Sequence, residues 1–136
     1  MALVNPTFEH GWLSFPVVGR AGHAAGVDDL GSVVNPEGVP IIVTSCIVYR
    51  ATASAGAANI TVGHAANITA AHDTEHLCAA QAINGAVAGT AITGIATGDP
   101  GDTFAVVPAG NVISAYASAA STGFTGRVYL HYVRAA

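Results

Sequence analysis

The sequence is poor in charged side chains. Aspartate, glutamate, lysine and arginine make up only 9% of its 136 residues, against about a quarter in an ordinary globular domain. There is no lysine, and the basic residues are four scattered arginines, Arg20, Arg50, Arg127 and Arg134. Because phosphate binding requires clustered cations and the net charge here is -4, the sequence predicts no nucleic-acid partner.

The lack of charge also predicts an assembly. A small domain that stands alone in water normally keeps itself soluble with a charged surface. Surfaces that become buried in protein interfaces are depleted in lysine and glutamate and retain arginine, which is the bias of this chain. We therefore expect a homo-oligomer, or a subunit docked on a larger body. The alternative is a monomer whose serine, threonine and asparagine side chains supply the polar surface.

Long apolar runs and a targeting signal are lacking as well. Residues Met1 to Pro6 do not place a basic stretch ahead of a long apolar one, and the longest apolar run, Val39 to Tyr49, is too short to cross a bilayer. We therefore expect no membrane partner and synthesis in the cytoplasm. In that compartment Cys46 and Cys78 are expected to be two buried thiols, with a disulfide as the alternative.

The clearest pattern that the sequence does contain is that of β-strands. Residues Pro40 to Arg50 are dense in valine and isoleucine, whose stiff side chains favour strands. Small residues interrupt the pattern at 51–56 and it resumes at Ala57 to Gly63, which predicts two antiparallel strands joined by a turn. Both faces of the first strand are largely apolar, and we expect it to emerge into solvent at Tyr49 and Arg50.

The spacing of the remaining segments predicts an all-β, antiparallel, jelly-roll-like sandwich of about eight or nine strands. Residues 1–11 lack a clear period and are interpreted as an N-terminal arm, followed by a single domain at 12–136. Trp12 to Val18 contains Pro16 and predicts an edge strand or strand start, because proline donates no ladder hydrogen bond. The other predicted strands are 30–34, 83–87, 91–97, 104–107, 112–119 and 124–133.

One short helical insert is expected in the middle of the chain. The segment Asn67 to Gln81 contains several good helix formers, with Thr69 or Asp73 as the N-cap. The helix is expected to run for one or two turns and to pack on the sandwich through Leu77 and Cys78.

Four segments carry a resemblance to a known family. They are Gly-Ser-Val-Val-Asn-Pro-Glu-Gly at 31–38, Ala-Asn-Ile-Thr-Val-Gly at 58–63, Gly-Asn-Val-Ile-Ser-Ala at 110–115 and Gly-Arg-Val-Tyr-Leu-His-Tyr at 126–132. In this order they resemble the small jelly-roll proteins that tailed bacteriophages place on their heads. The resemblance implies a capsid decoration or cement protein, usually a trimer, which binds the major capsid protein on the surface of the virion.

The same resemblance implies no catalytic residues and no cofactor, and it gives the arm a role. An arm that reaches a neighbouring subunit suits such packing, and the residues expected to contact the partner are Asn5, Pro6 and Phe8 of the arm and Trp12 at the edge of the sandwich.

One motif points formally to metal chemistry. His72-Asp73-Thr74-Glu75-His76 matches the H-x-x-E-H pattern in which two histidines bind zinc and the glutamate acts as a base. A zinc peptidase also needs a rigid helix, a third ligand and a cleft, which a short segment in a small β domain does not provide. The sequence therefore predicts no enzyme and no resident metal, with His72 and His76 as weak metal candidates.

A glycan-binding module is the alternative function. Exposed aromatic side chains such as Trp12, Phe15 or Tyr116 would stack on sugars in a jelly roll of a phage fibre or surface appendage, provided that aspartate or asparagine stood beside them. Aromatic residues in a β run more commonly belong to the core.

Overall fold

The computed structural model describes residues 10–22, 29–67, 73–85, 89–93 and 105–135. Within these ranges the chain forms nine strands and no helix. The strands are β1 (His10–Val18), β2 (Asp29–Val34), β3 (Ile41–Thr52), β4 (Asn59–Ala65), β5 (Asp73–Ala82), β6 (Thr90–Thr93), β7 (Ala105–Val107), β8 (Val112–Ala117) and β9 (Thr125–Arg134). The predicted all-β class is thereby confirmed. Among the described residues no helix is long and apolar enough to cross a membrane.

The strands form two antiparallel sheets. Sheet I has the order β1-β9-β3, with β6 and β7 both paired to the far edge of β3, and sheet II has the order β2-β8-β4-β5. If β6 and β7 are counted as one position, eight strand positions are divided between two four-stranded sheets. That arrangement is a jelly roll, as the spacing of the segments predicts.

The core lies between the two sheets and takes large side chains from both. Sheet I contributes Phe15, Ile41 and Leu130, and sheet II contributes Ile60 and Ile113, all of them fully or almost fully buried. Burying an aliphatic or aromatic side chain of this size stabilises a fold by about 1.5–3 kcal/mol. Since side chains alternate across a strand, these residues fix which face of each sheet remains on the outside.

Strand β1 is an edge strand, as Pro16 predicts. It pairs with β9 alone among the described strands, over the whole length from His10 to Val18. The strand therefore begins one residue before Gly11, the predicted end of the arm. Residues 1–9 of the arm, including Asn5, Pro6 and Phe8, lie outside the described residues.

The predicted hairpin of residues 40–50 and 57–63 is wrong. The two strands exist as β3 and β4, but β3 lies in sheet I beside β9 while β4 lies in sheet II between β8 and β5. The connection crosses the end of the sandwich, where the amide of Ser54 donates to the carbonyl of Ile83 at 2.6 Å and the amide of Ala55 donates to Thr122 at 2.9 Å. Ile83, predicted to begin a strand, is instead a buried anchor of this crossing.

Strand β3 contains a bulge that reverses its alternation. The register with β9 shifts between Val43 and Ser45, so that Ile41 and Val43 face the core before the shift, and Cys46 and Val48 face it afterwards. A bulge inserts one extra residue and changes the face to which later side chains point. The uniformly apolar pattern of this strand results from that change of face.

Because of the bulge, Arg50 points inward, and the expectation that it emerges into solvent is wrong. The residue is 9% exposed, and its Nη1 donates to the carbonyl of Ala82 at 2.8 Å. Arg50 thus connects the end of β3 in sheet I to the end of β5 in sheet II. A buried cation of this kind is tolerated when a carbonyl oxygen compensates its lost hydration.

The predicted helical insert is also wrong over residues 73–82, which form β5. This strand pairs with β4, but the register shifts twice along the ladder, and the consecutive residues Leu77 and Cys78 are both buried. The shifts remove the strict alternation that identifies a strand in a sequence. Helix propensity then yields to the hydrogen bonds and the apolar burial that the place beside β4 offers.

The carboxylate of Glu37, in the turn before β3, binds two side chains of β9. Tyr132 donates its hydroxyl to Oε1 of Glu37 at 2.8 Å, and Nε of Arg134 lies 3.3 Å from Oε2. Burial of the ring raises the pKa of Tyr132 above its ordinary value of 10.0, and the hydrogen bond to Glu37 and the charge of this carboxylate raise it further.

This raised pKa predicts an alkaline loss of stability. An unfolded tyrosine ionises near pH 10.0, whereas folded Tyr132 retains its proton to higher pH, so its contribution is complete below pH 10.0 and is lost as the pH rises through the folded-state value. The free energy of unfolding, measured by urea titration, is expected to fall more steeply above pH 10 in the wild type than in Tyr132→Phe. Equal slopes in the two proteins would contradict this assignment.

Candidate interface on the outer face of sheet I

The outer face of sheet I is the side that points away from the core. Its members follow from the register, since directly paired residues on neighbouring strands share a face. Trp12 pairs with His131, Ser14 pairs with Tyr129, and Tyr129 pairs with Ile47. The face includes Trp12, Ser14, Pro16, Val18, Ile47, Tyr49, Val106, Arg127, Tyr129 and His131.

This face carries five of the six large hydrophobic side chains that are exposed among the described residues. The large hydrophobic side chains found exposed there are Trp12 (60%), Val18 (57%), Val106 (49%), Tyr49 (39%) and Tyr129 (37%), and the remaining one, Val34, belongs to β2 in sheet II. Single exposed apolar residues are ordinary, but apolar residues gathered on one face mark an interaction surface. Tyrosine and tryptophan are also the residue types that most often anchor protein interfaces.

The face has almost no charge. The sequences of the five strands in sheet I contain no aspartate, glutamate or lysine, and among their arginines Arg50 points inward and Arg134 contacts Glu37. Arg127 remains, and its Nε and Nη2 donate to Oγ of Ser14 at 3.1 and 2.9 Å. A face with this composition loses little hydration energy when another protein covers it.

Trp12 is held in place by an aromatic and polar cluster at the bulge of β3. Its ring centroid lies 4.9 Å from that of His131, at an interplanar angle of 59°. Oγ1 of Thr44 is hydrogen-bonded to Nδ1 of His131 at 2.6 Å and donates to the carbonyl of the same residue at 3.3 Å. The cluster fixes the position of an exposed tryptophan, and such an anchor loses less conformational entropy on binding than a mobile side chain does.

The outer face of sheet II differs. Along β8, Ile113, Ala115 and Ala117 belong to the core, so Ser114 and Tyr116 point to the outer side, and yet both are buried. The two outer faces of the sandwich are therefore not equivalent. Sheet I is the one whose aromatic side chains remain accessible.

The area of the face is sufficient for a specific contact. With the nine residues of β1 at about 3.3 Å each and four strands at about 4.8 Å each, its projected area is roughly 600 Å². A standard interface buries about 800 Å² of accessible surface per partner, and side chains that protrude from a sheet add to the projected value. The arrangement is suited to binding a flat surface of another protein.

Trp12 is the one predicted partner-binding residue that falls within the described residues, and it lies on this face. His72 lies outside them, and His76 belongs to β5 with a side chain that is not described. No group of three or more histidine, cysteine, aspartate or glutamate side chains within the described part of the chain could hold a metal ion. Phe15 and Tyr116, the other proposed sugar-stacking residues, are buried.

Comparison with known proteins defines the fold and leaves the family open. No family model matches the chain, and no curated protein matches it. A solved structure, the capsid of Ralstonia phage GP4, contains a chain with the same fold. The two chains superpose with a TM-score of 0.59 at 17% sequence identity, over 100% of this chain and 92% of that one.

Proposed function

We propose that the protein is a structural subunit of a bacteriophage virion. In detail, it is a capsid decoration or cement subunit that forms a trimer and binds the major capsid protein on the outside of the head. The observation that carries the proposal is the outer face of sheet I, an exposed and aromatic surface whose strands contain no acidic residue and no lysine. The shared fold with a chain of a phage capsid supports the proposal.

We assign the outer face of sheet I to contacts between copies in the trimer. A surface of this composition resembles the core of a homo-oligomer interface, which is more apolar than other protein surfaces. It carries an arginine and no carboxylate, so two copies would not place acidic groups against each other. The arm residues Asn5, Pro6 and Phe8 are assigned to the capsid, since an arm adds contacts beyond the body of a subunit.

Two measurements test the proposal. Light scattering of the purified chain is expected to give three times the 13.5 kDa of one copy. Sedimentation with intact heads of the encoding phage is expected to carry the protein into the pellet, and heads already saturated with it should take up no more. A compact monomer at high concentration that stays in the supernatant would refute the proposal.

A glycan-binding module is the second candidate, because Trp12, Tyr49 and Tyr129 are exposed on one face. Sugar recognition combines stacking with hydrogen bonds from precisely placed polar groups. The strands of sheet I contain no aspartate, asparagine, glutamate or glutamine, so the aromatic rings lack the partners that orient a sugar. Binding of the monomer to a glycan array would favour this candidate over the virion subunit.

A further inference from the structure

The two cysteines meet across the core. Cys46 lies on β3 in sheet I and Cys78 lies on β5 in sheet II, and both belong to the same hydrophobic cluster, with 1% and 4% of their surface exposed. Both are present as thiols and not as a disulfide, and the side chain of one is hydrogen-bonded to that of the other. Cysteines that stand 32 positions apart in the sequence, 46 and 78, are therefore in direct contact.

The geometry of the two strands is compatible with a covalent bond. A disulfide requires Cα atoms about 4.4–6.8 Å apart and side chains that point towards each other. The two strands approach closely, with some Cα atoms of β3 within 8 Å of Cα atoms of β5, and the hydrogen bond between the thiols shows that these two side chains point towards each other.

We propose that Cys46 and Cys78 are an oxidisable pair that forms a disulfide between the two sheets when the protein meets hydrogen peroxide. The thiolate of Cys78 attacks one peroxide oxygen, the O–O bond breaks, and hydroxide leaves and takes up a proton to become water. The resulting sulfenic acid is then attacked by Sγ of Cys46. The S–S bond forms, the S–O bond breaks, and water leaves with the proton of Cys46. In total, two thiols and one peroxide give one disulfide and two waters.

The order of these steps follows from the hydrogen bond between the thiols. This bond from Cys46 lowers the pKa of Cys78, while burial opposes the effect. The pKa of Cys46 is raised, first by the same hydrogen bond and then by burial. Cys78 is therefore the first to ionise and to act as the nucleophile. It also lies on β5, which pairs with β4 alone among the described strands, and an edge strand is where local opening admits a small oxidant.

The reaction is reversible and depends on the surroundings. In a reducing cytoplasm the pair remains as two thiols, whereas outside a cell nothing restores them. This inference does not depend on the proposed function, because it rests on the core of the sandwich and not on its outer face.

The test uses the purified full chain under native conditions. After treatment with hydrogen peroxide we expect both thiols to resist alkylation, the intact mass to fall by two hydrogens, and a peptide map to show Cys46 linked to Cys78 within one chain. Dithiothreitol is expected to restore the thiols. A cross-link that closes a loop of this length should raise the Tm by about 10 °C.

Two controls make the outcome decisive. The same peroxide applied to the chain unfolded in urea must consume the thiols, which shows that the oxidant is competent. Cys46→Ala removes one of the two thiols, so peroxide treatment is expected to leave the Tm of this variant without an increase. The proposal would be overturned if native wild-type protein is treated with peroxide and both thiols can still be alkylated once the protein is unfolded. Sulfinic acids on the cysteines, or disulfides between chains, would overturn it as well.

Discussion

Replacing Tyr129 with glutamate is expected to convert the proposed trimer into monomers. Tyr129 lies in the middle of the outer face of sheet I, between Ser14 of β1 and Ile47 of β3. A carboxylate buried at an interface without a partner costs about 2–5 kcal/mol, which raises a dissociation constant by at least about 30-fold for each copy. Light scattering over a range of concentrations would show the loss of the trimer mass.

The variant is expected to keep its fold. Position 129 points away from the core and is exposed in the single chain, so the new carboxylate stays hydrated in the monomer. Tyr129→Phe retains the ring and should assemble normally. Ser32→Glu places the same charge on an exposed position of sheet II and should also leave the trimer intact. A Tyr129→Glu protein that remains trimeric would show that another surface joins the copies.

The fold class was predictable because most strands carry their own signal. Residues 124–133 alternate strictly, with Val128, Leu130 and Tyr132 on one face and Arg127 and Tyr129 on the other, and the structure places the first set in the core. This alternation needs no tertiary information, since a strand with one buried face must show it.

The errors arose where the ladder is irregular. The bulge of β3 and the shifted register of β5 each break the period of two, so that the sequence pattern predicts an exposed Arg50 and a helix at 73–82. The false hairpin has a different cause. Strands adjacent in the sequence usually pair, but a jelly roll repeatedly moves the chain from one sheet to the other, and no local pattern marks that crossing.

The sequence predicts that the chain has a covered surface, but it predicts only some of the residues that form this surface. Low charge and the absence of lysine indicate a covered surface, and the sequence predicts that Trp12 contacts the partner. The pairing that brings Tyr129 beside Ser14 and Tyr49 beside Arg127 is long-range, so a sequence alone does not show that these residues share one face with Trp12. Likewise, the contact between Cys46 and Cys78 depends on how the two sheets stack.

The second large effect is expected at a buried amide. Asn35 is 4% exposed, and its Nδ2 donates to the carbonyls of Val39, Val107 and Pro108 at 3.1, 3.3 and 3.1 Å. Its Oδ1 accepts from the amide of Glu37 at 2.9 Å. One side chain thus joins the turn before β3 to the end of β7.

Asn35→Asp is expected to lower the free energy of unfolding by about 4 kcal/mol at pH 7, because an ionised carboxylate donates no hydrogen bond and faces three carbonyl oxygens. Those oxygens and the burial raise the pKa of the introduced carboxyl in the folded state, so the deficit should shrink as the pH falls and the protonated group again donates one hydrogen bond. Urea unfolding at pH 7 and pH 5 measures both effects.

Asn59→Asp makes the same chemical change at an exposed position of β4 and should alter stability by less than about 0.5 kcal/mol. If the two variants lose the same stability, or if the Asn35→Asp deficit does not decrease in acid, the amide does not join these segments in the way described.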